Sequence, residues 1–153
     1  MRYALIVILL GFLFNVDCTA QRKFFLKGNG NVELVKMESD VITFRCHGNG
    51  KKKDAALRDA PINAFKILLF RGVPESSYAA PMVSVNEADE LSKHKAYFDK
   101  LLGGGRYSSF VTASTVLAGY DSKTKTTILE ISINTRALKA DLVSNKILSD
   151  YGF

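Results

Sequence analysis

The stretch Gly48-Asn-Gly-Lys-Lys-Lys-Asp-Ala55 is where residue types and spacing most resemble a chemical motif. Glycines let backbone N–H groups approach phosphate, and a lysine supplies positive charge. A Walker-type phosphate loop, however, needs four residues between its glycines and a Ser or Thr after the lysine. Here a single residue separates the glycines and no hydroxyl follows. The pattern predicts a strand-to-helix turn, with contact of Lys51, Lys52 and Lys53 to an anion or acidic polymer as the retained alternative.

Cysteine and histidine are scarce in this sequence. Cys46 and His47 are adjacent in a predicted strand, so their side chains point to opposite faces and cannot easily hold one ion. Zinc needs three or four ligands, and we predict neither a metal site nor a cofactor. A Cys46–His94 nucleophile pair would need an exposed thiolate, whereas the strand pattern turns Cys46 inward beside Phe44. Paired carboxylates remain open, since distant acids can meet in a fold.

An aromatic group flanks the glycine run at positions 103–105. It consists of Tyr97, Phe98, Tyr107 and Phe110. The simpler interpretation is hydrophobic packing across a helix-to-strand corner. The alternative is a ligand or partner groove beside a glycine hinge.

Residues 1–20 have the layout of a secretory signal peptide. Arg2 gives a positive start, an apolar run follows at residues 3–16, and small residues lead to cleavage after Ala20. An uncleaved membrane anchor is the alternative, although the run is short for a span of about 20 residues. Lipidation at Cys18 is a third possibility.

Cleavage would leave 133 residues (153 − 20), enough for one domain. We expect a basic linker at residues 21–31 and a single α+β domain at residues 32–153. Cys46 would then be the single cysteine, with no internal disulfide. The net charge of +6 suits contact with acidic envelope polymers or lipid head groups, with simple solubility as the alternative interpretation. An exported chain is not expected to bind nucleic acid, and no stable membrane span is expected after cleavage.

Alternating β-branched and aromatic residues predict a first hairpin, Val32–Met37 and Val41–His47. Alanines four apart then predict a helix from about Lys52 to Phe70. Pro61 predicts either a kink in that helix or a helix that begins near Asp59.

A loop at residues 71–86 precedes a second helix, which the periodicity predicts over Glu87–Leu102. A second hairpin, Tyr107–Leu117 and Thr126–Asn134, leads to a last helix that Asn134 or Thr135 can cap. The order ββααββα predicts a two-layer α+β sandwich, with an antiparallel sheet of two hairpins and helices packed on one face. The two ββα halves are alike in outline, so a duplication is possible.

With these elements placed, the chain resembles a group of small exported bacterial envelope domains. The features are a strand ending in Gly48-x-Gly50, a helix with Ala56, Ala60 and Ala64, and the stretch AFKILLFRG at residues 64–72. The glycine and alanine pattern resembles some outer-membrane lipoproteins and the N-terminal domain of a flagellar outer-membrane assembly protein. The stretch at residues 64–72, with the later Tyr-rich segment that runs into a strand, is similar to small uncharacterised secreted proteins of Bacteroidetes-type bacteria. The resemblance implies an α+β envelope module, often non-enzymatic, and carries over no catalytic residues.

These observations favour a non-catalytic periplasmic or secreted binding and assembly module of the bacterial cell envelope. Its partner would be an envelope protein or an acidic envelope polymer. An uncleaved signal would make it membrane-associated. The alternative is a small enzyme that acts on an envelope polymer, which would require a deep pocket lined by carboxylates or by Cys46 and His94.

Overall fold

A computed structural model describes residues 32–149, so the predicted signal peptide and basic linker lie outside the described residues. One four-stranded antiparallel sheet organises this part of the chain, in the order β1-β2-β4-β3. Its strands are β1 (Val32–Glu38), β2 (Val41–Asn49), β3 (Val111–Asp121) and β4 (Thr126–Asn134). The predicted α+β class and the order ββααββα are confirmed in outline, and each predicted hairpin is a neighbouring strand pair.

The two inner strands, β2 and β4, build one wall of the core. Residues directly opposite in an antiparallel pair point to the same face of the sheet, and here Phe44 lies opposite Ile131 and Cys46 opposite Leu129. All four side chains are buried. The predicted core face of β2 is therefore correct, because its alternating apolar residues meet those of β4.

Helix α1 (Lys53–Phe70) covers this wall and packs on both β2 and β4. Ala56, Ala60 and Ala64 are fully buried, so the small residues lie where the helix meets the sheet. Pro61 lies inside the helix, and the alternative that the helix begins near Asp59 is wrong. An internal proline costs about 3 kcal/mol, and the buried residues on both sides of Pro61 offset that cost through packing.

The prediction of a single helix over residues 87–102 is wrong, because the helix is interrupted at His94. Helix α2 (Glu87–Lys93) ends there, and α3 (Lys95–Phe98) continues into a π-helical turn at Asp99–Gly103. His94 has φ −114° and ψ 37°, outside the helical region. Helix α2 has no buried residue, whereas Phe98, Leu101 and Leu102 are buried. The break redirects the second part of the segment towards the core.

The predicted start of the third strand at Tyr107 is also wrong. A 3₁₀ turn occupies Arg106–Phe110, and β3 begins at Val111. In a 3₁₀ turn the side chains at i and i+3 lie on the same side. Tyr107 and Phe110 therefore both reach Phe65 of α1, with ring centroids 5.7 and 6.5 Å away, which an alternating strand would prevent.

Helix α4 (Thr135–Ser144) follows β4 directly and adds the last apolar stripe. The side chain of Asn134 accepts a hydrogen bond from the N–H of Ala137 (2.9 Å), which confirms the predicted cap. Leu138 and Leu142 are fully buried. Within residues 32–149, no helix has the length and apolar character needed to cross a membrane.

Candidate binding surface at the basic end of the sheet

Cys46 and His94 are not arranged as a nucleophile and base. Cys46 is fully buried in the core face of β2, and this burial raises the pKa of its thiol. His94 lies at the break between α2 and α3, where its Nε2 is 3.7 Å from Oε2 of Glu90. A buried thiol with a raised pKa has little thiolate at neutral pH. The inward orientation predicted for Cys46 is confirmed.

A metal centre and a pocket are the other arrangements that could support catalysis. Within residues 32–149, no group of three or more His, Cys, Asp and Glu side chains could hold a metal ion. A cavity of about 310 Å³ lies between the 71–86 loop and α4. Its lining is Ser77, Tyr78, Ala80, Pro81, Met82, Lys139, Val143, Leu148 and Ser149, which includes no carboxylate.

Half of the predicted aromatic groove belongs to the core. Phe98 and Phe110 are 2% and 6% exposed, and the ring of Phe98 packs 5.4 Å from that of Phe70. Tyr97 and Tyr107 are half-buried. The side chains that remain available at this corner are therefore the two tyrosines rather than the two phenylalanines.

Tyr97 contacts two charged side chains from neighbouring elements, Asp141 and Arg106. Its hydroxyl donates a hydrogen bond to Asp141 of α4 (2.7 Å). Arg106 forms an ion pair with the same carboxylate and lies 5.8 Å from the centre of the Tyr97 ring. Burial, and then the Asp141 carboxylate, raise the pKa of Tyr97. A cavity of about 420 Å³ opens beside this group, lined by Ala96, Tyr97, Lys100, Arg106 and Asn145.

The glycines of the opening motif are explained by close packing. A Cβ atom at Gly48 would lie 2.0 Å from the carbonyl oxygen of Ala56. A Cβ atom at Gly50 would lie 2.5 Å from the backbone nitrogen of Ala56. Real Cβ atoms do not approach backbone atoms so closely, so no other residue fits without moving α1 away from β2. Helix packing accounts for the glycine pair without any phosphate.

The lysines that follow these glycines have a different environment. Lys51, Lys52 and Lys53 are all exposed. Lys52 precedes the first helical residue, and no side chain caps the N-terminus of α1. Positive charges at the N-terminus of a helix interact unfavourably with its dipole, and a bound anion would offset that interaction. Their position favours contact with a negatively charged partner.

The β3–β4 turn brings further lysines to the same end of the sheet. The N–H of Gly50 donates to the carbonyl oxygen of Lys125 (3.0 Å), and the hydroxyl of Tyr120 donates to the carbonyl oxygen of Gly50 (2.9 Å). These bonds attach the β3–β4 turn to the strand-to-helix turn. We define the basic end of the sheet as the exposed residues Lys51, Lys52, Lys53, Lys123 and Lys125.

Two exposed acidic residues lie beside the basic end in the chain, and one of them is engaged locally. Asp121 accepts a hydrogen bond from the N–H of Lys123 (2.8 Å), and this bond, followed by one from the Thr124 hydroxyl, lowers its pKa. Asp54 lies in the first turn of α1. Asp59 of α1 also lies at the strand-to-helix turn, where it accepts a hydrogen bond from the N–H of Asn49 (2.9 Å). Five lysines and three carboxylates thus belong to these two turns, a local excess of two positive charges.

Sequence reasoning found three of these lysines and missed Lys123 and Lys125. The two groups are about 70 residues apart in the chain. They meet because Asn49, at the end of β2, pairs with Thr126, at the start of β4. The basic composition of the β3–β4 turn is visible in the sequence, but the strand order that joins it to the other turn is not.

Comparison with known protein families, curated proteins and solved structures gives no match for this chain. The candidate surface therefore rests on its geometry alone.

Proposed function

We propose that this protein is a non-catalytic periplasmic or secreted binding and assembly module of the bacterial cell envelope. In this proposal the basic end of the sheet binds an acidic envelope partner, either a protein surface or a polymer. The observation that carries the proposal is the convergence of five exposed lysines on two turns that hydrogen bonds hold together.

The backbone of Asn49 and Gly50, which precede the first three lysines, is held by hydrogen bonds, and this favours a binding role over simple solubility. Gly50 is hydrogen-bonded through both its N–H and its carbonyl oxygen. The neighbouring N–H of Asn49 donates to Asp59 of α1 (2.9 Å), and Asp59 also accepts from the side chain of Asn63 (2.9 Å). These three hydrogen bonds hold the backbone at Asn49 and Gly50, so less backbone has to be ordered when the lysines that follow bind a partner.

Export to the envelope is the part of the proposal that the sequence supports. Residues 1–20 have signal-peptide composition and lie outside the described residues. An acidic polymer or a protein with an acidic surface is the partner class that a positive surface in that compartment would attract.

The alternative, a small enzyme that acts on an envelope polymer, has less support. The two cavities described above have no Asp or Glu in their linings, and Cys46 is buried. Hydrolysis of a polymer generally needs positioned acids or an activated nucleophile.

Charge reversal tests the proposal. Lys51, Lys52 and Lys53 are changed to Glu in one variant, and Lys123 and Lys125 in a second. Association with isolated envelopes is then measured by co-sedimentation over a range of salt concentrations. The matched control changes Lys93 and Lys100 to Glu, because both are exposed and lie outside the basic end.

We expect both test variants to lose association and the control to keep it. Wild-type association should also weaken as salt rises, since exposed charges are screened over about 8–10 Å. Equal association of all variants would remove the basic end as the binding surface. Loss in the control alone would assign binding to the aromatic corner, which Lys100 borders.

A further inference from the structure

The basic end of the sheet is made of lysine alone, because the arginines of the described residues are used inside the fold. Each arginine within residues 32–149 contacts an acceptor of the chain itself. These contacts join Arg45 to Glu33, Arg58 to the carbonyl oxygen of Gly103, Arg71 to Glu87, Arg106 to Asp141 and Arg136 to Asp40. The five lysines of the basic end, by contrast, form no ion pair with any residue between 32 and 149. Their ammonium groups are available to a partner.

The same surface lacks the side chains that usually anchor a protein partner. The residues that contribute most to protein–protein binding are enriched in Trp, Tyr and Arg, whereas lysine is depleted in such interfaces. Tyr120, which borders the β3–β4 turn, is half-buried and its hydroxyl donates to the carbonyl oxygen of Gly50. The exposed large apolar side chains among the described residues lie outside the two turns; they are Met37, Val85, Val116 and Leu117. The basic end therefore offers positive charge without an apolar anchor.

We propose that the basic end binds a linear polymer with repeated anionic groups. This inference rests on the proposed function and names the partner of the same surface. An ammonium group is a compact charge on a flexible stem with three rotatable donors, so it pairs with an anion without a fixed geometry. Successive anions of a polymer can each contact one lysine, as the phosphates of a nucleic acid do, and the affinity then comes from the number of contacts.

The connection between the two turns suits a polymer that passes over both. The N–H of Gly50 donates to the carbonyl oxygen of Lys125, and Lys51 follows Gly50 directly. Lysines of the two turns are thus neighbours, and the five form one group. The strand-to-helix turn supplies three of the charges and the β3–β4 turn supplies two, so we expect the polymer to need both turns.

The carboxylates near these lysines favour a ligand with many anions over a single small anion. Asp59 and Asp121 accept hydrogen bonds from backbone N–H groups of the two turns, and Asp54 is exposed in the first turn of α1. The local excess is therefore only two positive charges. A single anion is attracted weakly by such a surface, whereas linked anions gain affinity because the later contacts form within one complex.

The salt dependence of binding counts the lysines that contact the polymer. Purified protein is titrated with long-chain inorganic polyphosphate by calorimetry at several salt concentrations. A flexible polyanion gives a slope of log K against log salt of about −0.7 per contact, so five contacts predict about −3.5. Changing Lys123 and Lys125 to Gln should reduce the slope to about −2, and changing Lys51, Lys52 and Lys53 to Gln to about −1.5.

A matched variant and a single-anion competitor control this titration. Lys93 and Lys100 are exposed and lie outside the basic end, so changing both to Gln should leave the wild-type slope. Orthophosphate at the same phosphate concentration should not compete with polyphosphate, because one anion contacts few lysines. Polygalacturonate, a polymer of carboxylates, replaces polyphosphate in a parallel titration and shows which anion the surface binds more tightly.

Protease treatment of isolated envelopes distinguishes a polymer from a protein partner. Co-sedimentation is measured with untreated envelopes, with envelopes that have been digested and washed, and with phosphatidylglycerol vesicles. We expect digested envelopes to retain the association. Vesicles should bind less, because the two turns have no exposed large apolar side chain to insert into a lipid surface.

The outcomes separate this inference from the proposed function. Loss of association after digestion, with charge reversal at the basic end still effective, would overturn the polymer and leave the proposed function with a protein partner. Vesicles that bind as well as envelopes would replace the polymer by an anionic lipid surface. Absence of binding to both polyphosphate and polygalacturonate, or a slope that the Gln variants leave unchanged, would also contradict the inference. If the proposed function itself fails, charge reversal at the basic end leaves association with every envelope sample unchanged.

Discussion

Strands β2 and β3 belong to the same sheet but differ sharply in their surroundings. At Gly48 of β2, an added Cβ atom would lie 2.0 Å from a backbone oxygen of α1. At Gly119 of β3, an added Cβ atom would meet nothing within 4 Å. Strand β2 is packed against α1 to the limit of atomic contact, whereas most side chains of β3 are exposed.

The difference separates the part of the sheet that contributes most to stability from the part that carries exposed side chains. The contact between α1 and the inner strands is made by small, fully buried residues, so almost any substitution there disturbs packing. The β3 edge and the turn that follows it carry exposed side chains, which can change or bind without disturbing the core. Of the basic end of the sheet, Lys123 and Lys125 belong to this second part, whereas Lys51, Lys52 and Lys53 are exposed beside the tightly packed glycines.

The sharpest test of this contrast is alanine substitution at the two glycines. Gly48→Ala should lower the free energy of unfolding by more than about 3 kcal/mol, at the upper end of overpacking effects, because the methyl group collides with backbone. Gly119→Ala should change it by no more than about 1 kcal/mol. Urea unfolding followed by circular dichroism measures both. Equal effects would contradict close packing of α1 against β2 at Gly48.

A second pair of substitutions compares two residues that face each other across β3 and β4. Leu129→Ala should cost about 2–4 kcal/mol, because its buried side chain leaves a cavity under α1. Val116→Ala should cost less than about 1 kcal/mol, since Val116 is 54% exposed. The same unfolding measurement applies. A large decrease in the free energy of unfolding for Val116→Ala would mean that the helices cover β3.

The N-terminal caps of α4 and α2 compare a helix that packs in the core with one that has no buried residue. Asn134→Ala should cost about 1 kcal/mol, because it removes the cap of a helix whose Leu138 and Leu142 lie in the core. Asn86→Ala removes the cap of α2, which has no buried residue, and should have a smaller effect on global unfolding. Melting temperatures of the two variants provide the measurement. A greater loss for Asn86→Ala would contradict the peripheral role of α2.

The smallest expected effect concerns the thiol of Cys46. A thiol reagent should leave the native protein unlabelled, because the side chain is fully buried and burial raises its pKa. Labelling should become complete in denaturant. Mass spectrometry of native and unfolded samples makes the comparison. Rapid native labelling would restore the nucleophile interpretation of Cys46.

The sequence predicts the central elements well, because a single local pattern determines each of them. Strand β4 has the predicted bounds, Thr126–Asn134, and the alternation that placed Cys46 inward is correct. The Asn134 cap follows from residue type and position alone. In these segments local preference and tertiary packing agree.

The errors occur where tertiary packing overrides the local pattern. The helical periodicity after Glu87 does not show that the chain must bend at His94 to bury Phe98. The aromatic residues at 107 and 110 suit either a strand or a 3₁₀ turn, and their shared contact with Phe65 decides between them. The basic end could be predicted only in part, since strand order brings its two turns together.

The most direct test of the central claim is crosslinking at the basic end in the intact envelope. A photo-crosslinking residue replaces Thr124, which lies between Lys123 and Lys125, and the captured molecules are identified by mass spectrometry. The same residue at Val85 serves as the control. The account predicts capture of a reproducible acidic protein or polymer at position 124 but not at 85, and loss of that capture when Lys51, Lys52 and Lys53 are changed to Glu. Capture that survives this charge reversal, or no capture at position 124, would contradict it.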